Sequence, residues 1–348
     1  MTPADIQILQ FEPTSYCNAR CPHCGRFDDV GDIHPDLTLS HLDVDKILEN
    51  LQLSTLTSLS RVVLEGDKGD PIMHPDIEKF INAFYELPSC PIIDLMTNGG
   101  IRSTAWWKKL GQKYPNLRVI FSIDGLADTN HLYRVGVKYN KAIDNAKAFI
   151  EGGGYAIWKF LIFKHNEHQI DQVVSLSKEF GFSALHYGPG DRHRFQGLDK
   201  WPVRVNGKII HHIEPASADI KEKQHIIYKN HNSFKNSKYI NKICPNLSIG
   251  QIYINHLGHI VPCCMMHFDT ENNYFGKDQM IQLTEGLDNQ SLLSNTLSTV
   301  LNNKFFNNNL VESLLGPEET WHFNCQRSCK NTILVNKKKY DYHNNHSQ

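Results

Sequence analysis

Short apolar runs alternate with segments of helical spacing along the first half of the chain. Six runs have the composition of strands, and they cover residues 6–11, 61–66, 91–97, 118–124, 156–163 and 184–188. Helical spacing fills the intervals at residues 41–53, 76–86, 104–113, 140–151 and 168–180. This rhythm predicts βαβ units, a parallel sheet and an α/β fold class. Six strands are fewer than the eight of a closed barrel, so we expect an open sheet or a partial barrel.

The pattern changes after residue 188. Periodicity is weaker through a loop, GPGDRHRFQG, and a helix is expected near Ser217. The segment GQIYINHLGHIVPCC (250–264) predicts a β-hairpin that turns near Gly258, and helical spacing returns at 291–303 and 304–315. The polar end predicts a frayed tail. We therefore expect a core over residues 1–190, a connecting segment over 191–240, a small α+β extension over 241–332 and a tail over 333–348.

Composition narrows the class of protein. Hydrophobic residues make up 40% of the 348 positions, which is enough for a sizeable core, and the net charge of −1 gives no strong nucleic-acid signal. The amino-terminal sequence lacks the basic and apolar regions of a signal peptide, and no stretch is apolar enough for a membrane span. The expected location is the cytoplasm, where the nine cysteines are more typical of metal ligands than of disulfides.

Eight of the cysteines fall into two groups. Cys17, Cys21 and Cys24 form a CxxxCxxC motif shortly after the first predicted strand, at the reactive edge of a parallel sheet. The late group is Cys244, Cys263, Cys264, Cys325 and Cys329. Cys90 stands alone and is expected to be a small buried apolar residue.

The early triplet lacks a fourth ligand. Ordinary zinc and iron–sulfur sites use four, so three cysteines leave one iron of a [4Fe–4S] cluster open for a substrate or cofactor. The alternative is a zinc knuckle that borrows His23 or a distant cysteine. With this triplet and the polar ends of the following strands, residues 6–188 resemble the radical SAM superfamily. The resemblance implies a partial (β/α)6 barrel core in which S-adenosylmethionine binds the open iron. One electron then cleaves it to a 5′-deoxyadenosyl radical, which abstracts a hydrogen atom from the substrate.

The resemblance also implies cofactor-binding positions. EGDKGDP (65–71) is similar to the family's GGEP segment, with aspartate at the glutamate position, and is expected to bind the methionine amino group. Ser122 and Asp124 of the FSIDG segment are expected to approach the ribose or methionine of S-adenosylmethionine. Arg134 is expected to contact its carboxylate, and His23, within the cysteine motif, is expected to pack on its adenine. The positions assigned in this way are His23, Gly66, Gly69, Asp70, Asn98, Ser122, Asp124 and Arg134. The alternative for the Asp, Asn and Ser residues is ordinary turn chemistry.

The late cysteines resemble the SPASM or twitch extension that follows many radical SAM cores. Four ligands, Cys244, Cys263, Cys325 and Cys329, are expected to hold one auxiliary [4Fe–4S] cluster, with Cys263 preferred over Cys264 because of its distance from Gly258. The closing CQRSC departs from the usual CxxC pair. A structural zinc site with four cysteine ligands is the alternative.

The sequence therefore predicts a radical SAM enzyme, with a peptide or protein side chain favoured as substrate. A sugar, nucleoside or other small molecule is the alternative substrate, and a zinc-stabilised binding module without catalysis is the alternative class. The electron donor is expected to be a flavodoxin or ferredoxin. The first strand begins within a few residues of the start, so we expect no leader-binding domain ahead of it, although a separate partner could supply one.

A charged loop follows the sixth predicted strand. Arg192 or Arg194 is expected to bind an anionic group of the substrate, with His193 or Asp191 as a candidate proton acceptor. A solvated loop whose charges balance one another is the alternative.

Overall fold

The structure is a computed structural model that describes residues 1–22, 24–190, 199–221, 225–227, 243–267 and 277–345. Its strands divide into one large sheet and a separate hairpin, β7–β8. The strands are β1 Ile8–Phe11, β2 Arg61–Leu64, β3 Ile92–Thr97, β4 Leu117–Ser122, β5 Tyr155–Ile162, β6 Ala184–Pro189, β7 Trp201–Val205, β8 Lys208–Ile213, β9 His225–Ile227, β10 Gln251–Ile254 and β11 Ile260–Val261.

The strand order of the large sheet is β11-β10-β1-β2-β3-β4-β5-β6-β9. Strands β10 and β1 through β6 pair in parallel, and β11 and β9 add antiparallel edges. Within the described residues the two edges do not pair, so the sheet is open. All six predicted strands are present at their predicted places, and the α/β fold class is confirmed.

The helices are α1 Val44–Leu51, α2 Ile77–Tyr85, α3 Thr104–Lys113, α4 Asn130–Tyr133, α5 Tyr139–Glu151, α6 Ile170–Glu179, α7 Ala218–Lys221, α8 Cys264–His267, α9 Lys277–Thr284, α10 Leu297–Leu301, α11 Leu310–Leu315 and α12 Phe323–Asn345. Side-chain caps fix several starting points. Asp43 accepts from the Lys46 N–H before α1, and Ser103 accepts from the Trp106 N–H before α3. The five predicted helices between the strands correspond to α1, α2, α3, α5 and α6. None of the described helices is both long and apolar enough to cross a membrane.

The two faces of the sheet differ in chemistry because side chains alternate along each strand. On one face Phe11 packs against Phe80 and Phe84 of α2, with ring centroids 5.8 and 5.5 Å apart. On the other face Asp94 is fully buried, and it accepts hydrogen bonds from Arg61 Nε at 2.6 Å and from Arg118 Nε at 2.6 Å. The second face is therefore partly polar, as a face that receives a polar ligand would be.

The carboxyl-terminal segment departs from expectation in how it attaches. The predicted hairpin is present as β10 and β11, and Gly258 in its turn has φ +81°. However, β10 pairs in parallel with β1, so the hairpin extends the core sheet. One buried apolar cluster contains both Leu9 of β1 and Ile333 of α12. The boundaries expected at residues 190, 240 and 332 stay predictions.

Two local predictions are wrong. The tail expected at 333–348 is helical as far as Asn345, because α12 is anchored by Ile333, which is 1% exposed, and by Asn336, whose amide donates to the Ile243 carbonyl at 3.3 Å. Cys90 is exposed and has φ +45°, because it lies in the turn before β3. The helical stretch predicted at 304–315 is present, as a π-helical turn at Phe305–Asn309 that continues into α11.

Candidate active site

The cysteine triplet lies on a long loop at the carboxyl end of β1. Hydrogen bonds join the start of the loop to its end, just before α1: Thr14 bridges to His41, and the Ser15 hydroxyl donates to the Thr38 carbonyl at 2.8 Å. Within the motif, the Cys24 N–H donates to the Cys21 carbonyl at 3.0 Å, which closes a turn. Backbone bonds therefore hold the three thiols together at one edge of the sheet.

Polar groups surround the three sulfur atoms. The Ala19 N–H donates to Cys17 Sγ at 3.4 Å, and the Asn98 amide lies 3.9 Å from the same sulfur. Arg134 Nη1 donates to Cys21 Sγ at 3.5 Å. The thiol of Cys24 contacts the Asp67 carbonyl at 3.6 Å. Most of these contacts are N–H donors directed at sulfur, which is the surrounding that a negative thiolate ligand requires.

Burial disfavours the thiolates in the absence of a cation. It raises the pKa of Cys21 to about 11, against the opposing effect of the Arg134 guanidinium. The pKa of Cys17 is also raised, first by burial and then by the Asp70 carboxylate and the neighbouring Cys21 thiol. A bound metal cation reverses this balance because it deprotonates the thiols it coordinates.

The donor set consists of cysteine thiols, which are the usual ligands of iron–sulfur clusters. Within the described residues, no three His, Cys, Asp or Glu side chains form a group that could hold a metal ion. The ligands of a four-iron cluster are spaced more widely, because each cysteine binds a different iron. The thiols are still close enough to influence one another electrostatically. Three thiols with N–H donors therefore fit a cluster with one open iron.

Asp70 and Asn98 lie beside this loop. Asp70 is 4% exposed, and its carboxylate accepts from the Ile72 N–H at 3.1 Å, the Asn98 N–H at 2.8 Å and the Thr97 hydroxyl at 3.1 Å. The Asn98 amide donates to Asn18 at 2.8 Å. Asp70 thus ties the end of β3 to the segment after β2, and three of its roughly four acceptor positions are filled.

Asp70→Ala should weaken S-adenosylmethionine binding by about tenfold or more and lower the free energy of unfolding by about 3 kcal/mol, because buried donors lose a charged acceptor. Asp70→Asn, which keeps one acceptor oxygen, should lose less of both. Equilibrium dialysis and thermal denaturation measure the two effects. Asp76→Ala is the matched control, since Asp76 is exposed nearby on the same segment and caps no helix with its side chain. Wild-type affinity in Asp70→Ala would contradict the expectation.

Asp124 and Arg134 form a buried ion pair behind Cys21. The Arg134 Nε donates to Asp124 Oδ2 at 2.6 Å, and the other carboxylate oxygen accepts from the Leu161 N–H at 2.7 Å. Ser122, the last residue of β4, is half-buried and pairs in register with Lys159 of β5. Asp124 is therefore close to the triplet through Arg134, whereas Ser122 lies on the polar face of the sheet.

Gly66 and Gly69 are required by the backbone itself. A Cβ at Gly66 would lie 1.9 Å from the Gly69 carbonyl oxygen, and one at Gly69 would lie 1.8 Å from the Thr14 carbonyl oxygen. The loop after β2 thus folds onto itself and onto the cysteine loop, so both glycines serve close packing.

Sequence reasoning missed Glu12, which directly follows β1 and is fully buried. Its Oε1 accepts from the Lys68 N–H and, at 3.2 Å, from the Gly69 N–H. Its Oε2 lies 3.1 Å from His256 Nδ1, and His256 Nε2 donates to the Thr38 carbonyl. Glu12 therefore orders the segment that leads to Asp70. A charged residue at the end of an apolar strand was the available signal.

Five candidate residues lie outside the described residues. They are His23, Asp191, Arg192, His193 and Arg194. Their expected contacts with adenine or with an anionic substrate group stay predictions.

The late cysteines line a single cavity. Cys244, Cys263, Cys325 and Cys329 all contribute to its wall, together with Met265 and Met266. Cys325 and Cys329 lie four residues apart on α12, so the unusual CQRSC spacing puts both on one helical face. The four cysteines that the sequence analysis grouped are thus brought together.

Backbone N–H groups point at two of these sulfur atoms. Burial raises the pKa of Cys244 to about 11, while N–H donors from Leu247 and Asn246 oppose that rise. Burial likewise raises the pKa of Cys263 to about 12, and the Met266 and Met265 N–H groups oppose it. Such donors stabilise thiolates, so the four cysteines lie in surroundings that suit the ligands of an iron–sulfur cluster.

Cys264 takes no part in this cavity. Burial, followed by the carboxylates of Asp67 and Glu65, raises its pKa, which places its thiol beside the segment after β2. Cys263 lines the cavity and Cys264 does not, so the preference for Cys263 as a ligand stays a prediction that agrees with this geometry.

Comparison of sequences gives two curated relatives. No protein-family model matches the chain. A GTP 3′,8-cyclase of Clostridium acetobutylicum is 26% identical over 323 residues, which cover 88% of this chain and 93% of the relative. A GTP 3′,8-cyclase of Staphylococcus saprophyticus is 28% identical over 127 residues, 35% of each chain.

Comparison of structures gives neighbours with the same fold. Streptococcus suis SuiB bound to the precursor peptide SuiA matches with a TM-score of 0.58 and 15% identity, over 87% of this chain and 66% of SuiB. In the S-adenosylmethionine complex of SuiB the chain spans 61% of that protein. The enzyme anSMEcpe with bound AdoMet and the Cp18Cys peptide matches with a TM-score of 0.52 and 14% identity, over 86% of this chain and 81% of that one.

The CxxxCxxC loop after β1, the fold shared with these AdoMet-binding structures and a relative that matches nearly the whole chain all agree with the resemblance of this chain to the radical SAM superfamily.

Proposed function

We propose that this enzyme reductively cleaves S-adenosylmethionine and uses the resulting radical to abstract a hydrogen atom from a substrate. The observation that carries the proposal is the placement of Cys17, Cys21 and Cys24 at the carboxyl edge of the sheet, with Asp70, Asn98 and Arg134 around them. When bound, a [4Fe–4S] cluster supplies the electron that splits the sulfonium into methionine and a 5′-deoxyadenosyl radical.

The residues of the chain have distinct tasks in this proposal. The three thiolates would hold three irons of the cluster and would leave the fourth for S-adenosylmethionine. Asp70 and Asn98 lie beside Cys17, where they would meet the amino group, and Ser122, on the polar face of the sheet, would approach the ribose or methionine. The close packing at Gly66 and Gly69, together with the hydrogen bond from the Gly69 N–H to Glu12, keeps the segment before Asp70 in place.

We propose one auxiliary cluster in the cavity of the late cysteines. Four ligands, Cys244, Cys263, Cys325 and Cys329, would saturate it, so it would not bind S-adenosylmethionine or substrate through an open iron. Its expected role is to pass an electron to or from the substrate radical, and the alternative is that it only fixes the carboxyl-terminal segment. The extension is then a SPASM or twitch-like domain.

A peptide or protein side chain is the favoured substrate. Support comes from the neighbours whose structures hold peptides: SuiB with its precursor peptide and anSMEcpe with the Cp18Cys peptide. A nucleotide is the second candidate, and it is favoured by the relatives that carry the name GTP 3′,8-cyclase.

Anaerobic incubation with a strong reductant tests the proposal. The reconstituted protein should convert S-adenosylmethionine to 5′-deoxyadenosine and methionine, slowly without substrate and faster with the right one. Adding cysteine- or serine-containing peptides in one series and GTP in another should show which class stimulates the rate. Formation of S-adenosylhomocysteine without 5′-deoxyadenosine would point to a conventional methyltransferase and refute the radical mechanism. The flavodoxin or ferredoxin donor and the cytoplasmic location stay predictions.

A further inference from the structure

Arg134 is held against the cysteine loop by contacts on several sides of its side chain. It follows α4, and its side chain is 15% exposed. Its Nε donates to Asp124 at 2.6 Å and its Nη1 donates to Cys21 Sγ at 3.5 Å. The guanidinium carbon also lies 5.4 Å from the centre of the Tyr133 ring. The guanidinium is thus fixed on one side by a carboxylate and on another by a sulfur.

Asp124 is held by several elements of the fold, and these contacts fix the position of its partner Arg134. Asp124 is fully buried just after β4, and its carboxylate accepts from the Leu161 N–H of β5. Its backbone N–H donates to the Asn130 side chain at 3.0 Å, at the start of α4. Two strands and one helix therefore set the distance between the guanidinium and Cys21 before any cofactor binds.

A fixed cation at a sulfur ligand has a defined electrostatic consequence. The potential of an iron–sulfur cluster depends on net charge, burial and hydrogen bonds to its sulfur atoms. Reduction adds a negative charge, so a nearby guanidinium, which stays protonated at any working pH, stabilises the reduced state. A nearby carboxylate has the opposite effect, and its influence decreases with distance.

We propose that Arg134 is a positioning residue that raises the reduction potential of the cluster held by Cys17, Cys21 and Cys24, and that Asp124 both fixes it and partly offsets its charge. The inference rests on the proposed function, because it needs that cluster. It differs from the role that the family resemblance implies, contact with the S-adenosylmethionine carboxylate, since it acts on the cluster before the cofactor arrives. The electrostatics of the Cys21 thiol agree in direction: Arg134 lowers its pKa and Asp124 raises it more weakly.

The test is a redox titration of the full-length, reconstituted protein, followed by electron paramagnetic resonance. The relevant signal is first identified as the one that changes when S-adenosylmethionine is added, and the titration is then run without it. Arg134→Gln should shift the midpoint to lower potential. Arg134→Lys, which keeps a more distant charge, should shift it less in the same direction. Asp124→Asn, which keeps an acceptor for Arg134 but removes the opposing charge, should shift it upward.

The opposite signs separate this role from a structural one. If the Arg134–Asp124 pair only stabilised the loop, either substitution would weaken that support. Arg134→Gln and Asp124→Asn would then move the midpoint potential in the same direction, or would only reduce the iron content. That result, or an unchanged midpoint in Arg134→Gln, would overturn the inference. If Arg134→Gln fails to assemble the cluster, the downward shift in Arg134→Lys and the upward shift in Asp124→Asn decide the question.

Failure of the proposed function would look different. In that case the wild-type protein would show no signal that responds to S-adenosylmethionine, whatever its variants do. A wild-type protein that cleaves S-adenosylmethionine while Arg134→Gln keeps its midpoint would overturn the inference alone. The second cluster, if present, provides an internal reference, because its cysteines line a separate cavity and its midpoint should not move.

Discussion

Replacing Cys17, Cys21 and Cys24 together by alanine should abolish 5′-deoxyadenosine formation and reduce the iron content from about eight to about four atoms per chain. The loop itself is held by bonds that do not involve the thiols, such as the Ser15 hydroxyl to the Thr38 carbonyl at 2.8 Å. The variant should therefore fold, and its remaining iron should report the second cysteine site alone. Iron and sulfide analysis, with an assay for 5′-deoxyadenosine under anaerobic conditions, measures both effects.

Cys90→Ala is the matched control for this experiment, because Cys90 is an exposed thiol at the turn before β3, at the opposite edge of the sheet from the loop motif. It should keep full iron content and full cleavage activity. A triple variant that retains all of its iron would show that these cysteines are not ligands. Zinc in place of iron, with no sulfide, would favour the zinc-knuckle alternative for the triplet.

The core could be predicted from sequence because its signals are local. Each strand from β1 to β6 is an apolar run bounded by polar residues, and each intervening helix repeats apolar residues at helical spacing. The triplet, Asp70 and Asn98 were singled out because they follow strand ends, where a parallel sheet gathers its functional loops, whereas Arg134 was singled out by the family resemblance alone. The placement of these residues beside one another follows from the topology and needs little tertiary detail.

The features that were missed depend on contacts between distant segments. The run Gln251–Ile254 predicts a strand but not its partner, and only the folded chain shows that β10 pairs with β1. The end of α12 is too polar in sequence to predict a helix, and it is held in the fold by the buried side chain of Ile333. Glu12 follows β1, and its contact with the Gly69 N–H depends on a loop 57 positions away. Pairing across such separations leaves no periodicity in the sequence.

Cys325→Ala should reduce modified product by at least about 100-fold while 5′-deoxyadenosine formation without substrate stays within a few-fold of wild type. The reason is the separation of the two sites. Cys325 lines the late cavity with Cys244, Cys263 and Cys329, whereas we propose that S-adenosylmethionine is cleaved at the loop after β1. Product analysis by mass spectrometry and the 5′-deoxyadenosine assay, run on the same preparation, measure the two rates.

Cys264→Ala is the sharpest control for Cys325→Ala, because Cys264 is the immediate neighbour of a proposed ligand yet lies beside Asp67 and Glu65 and away from the cavity. It should keep about eight irons, while Cys325→Ala loses up to about four. If the late cluster accepts the electron of the substrate radical, loss of this cluster leaves hydrogen abstraction possible. The substrate radical then cannot be oxidised to product, so S-adenosylmethionine is still cleaved but no product forms. Equal losses in both assays would instead mean that the cavity only holds α12 against the sheet. Loss of iron in Cys264→Ala would move the fourth ligand from Cys263 to its neighbour.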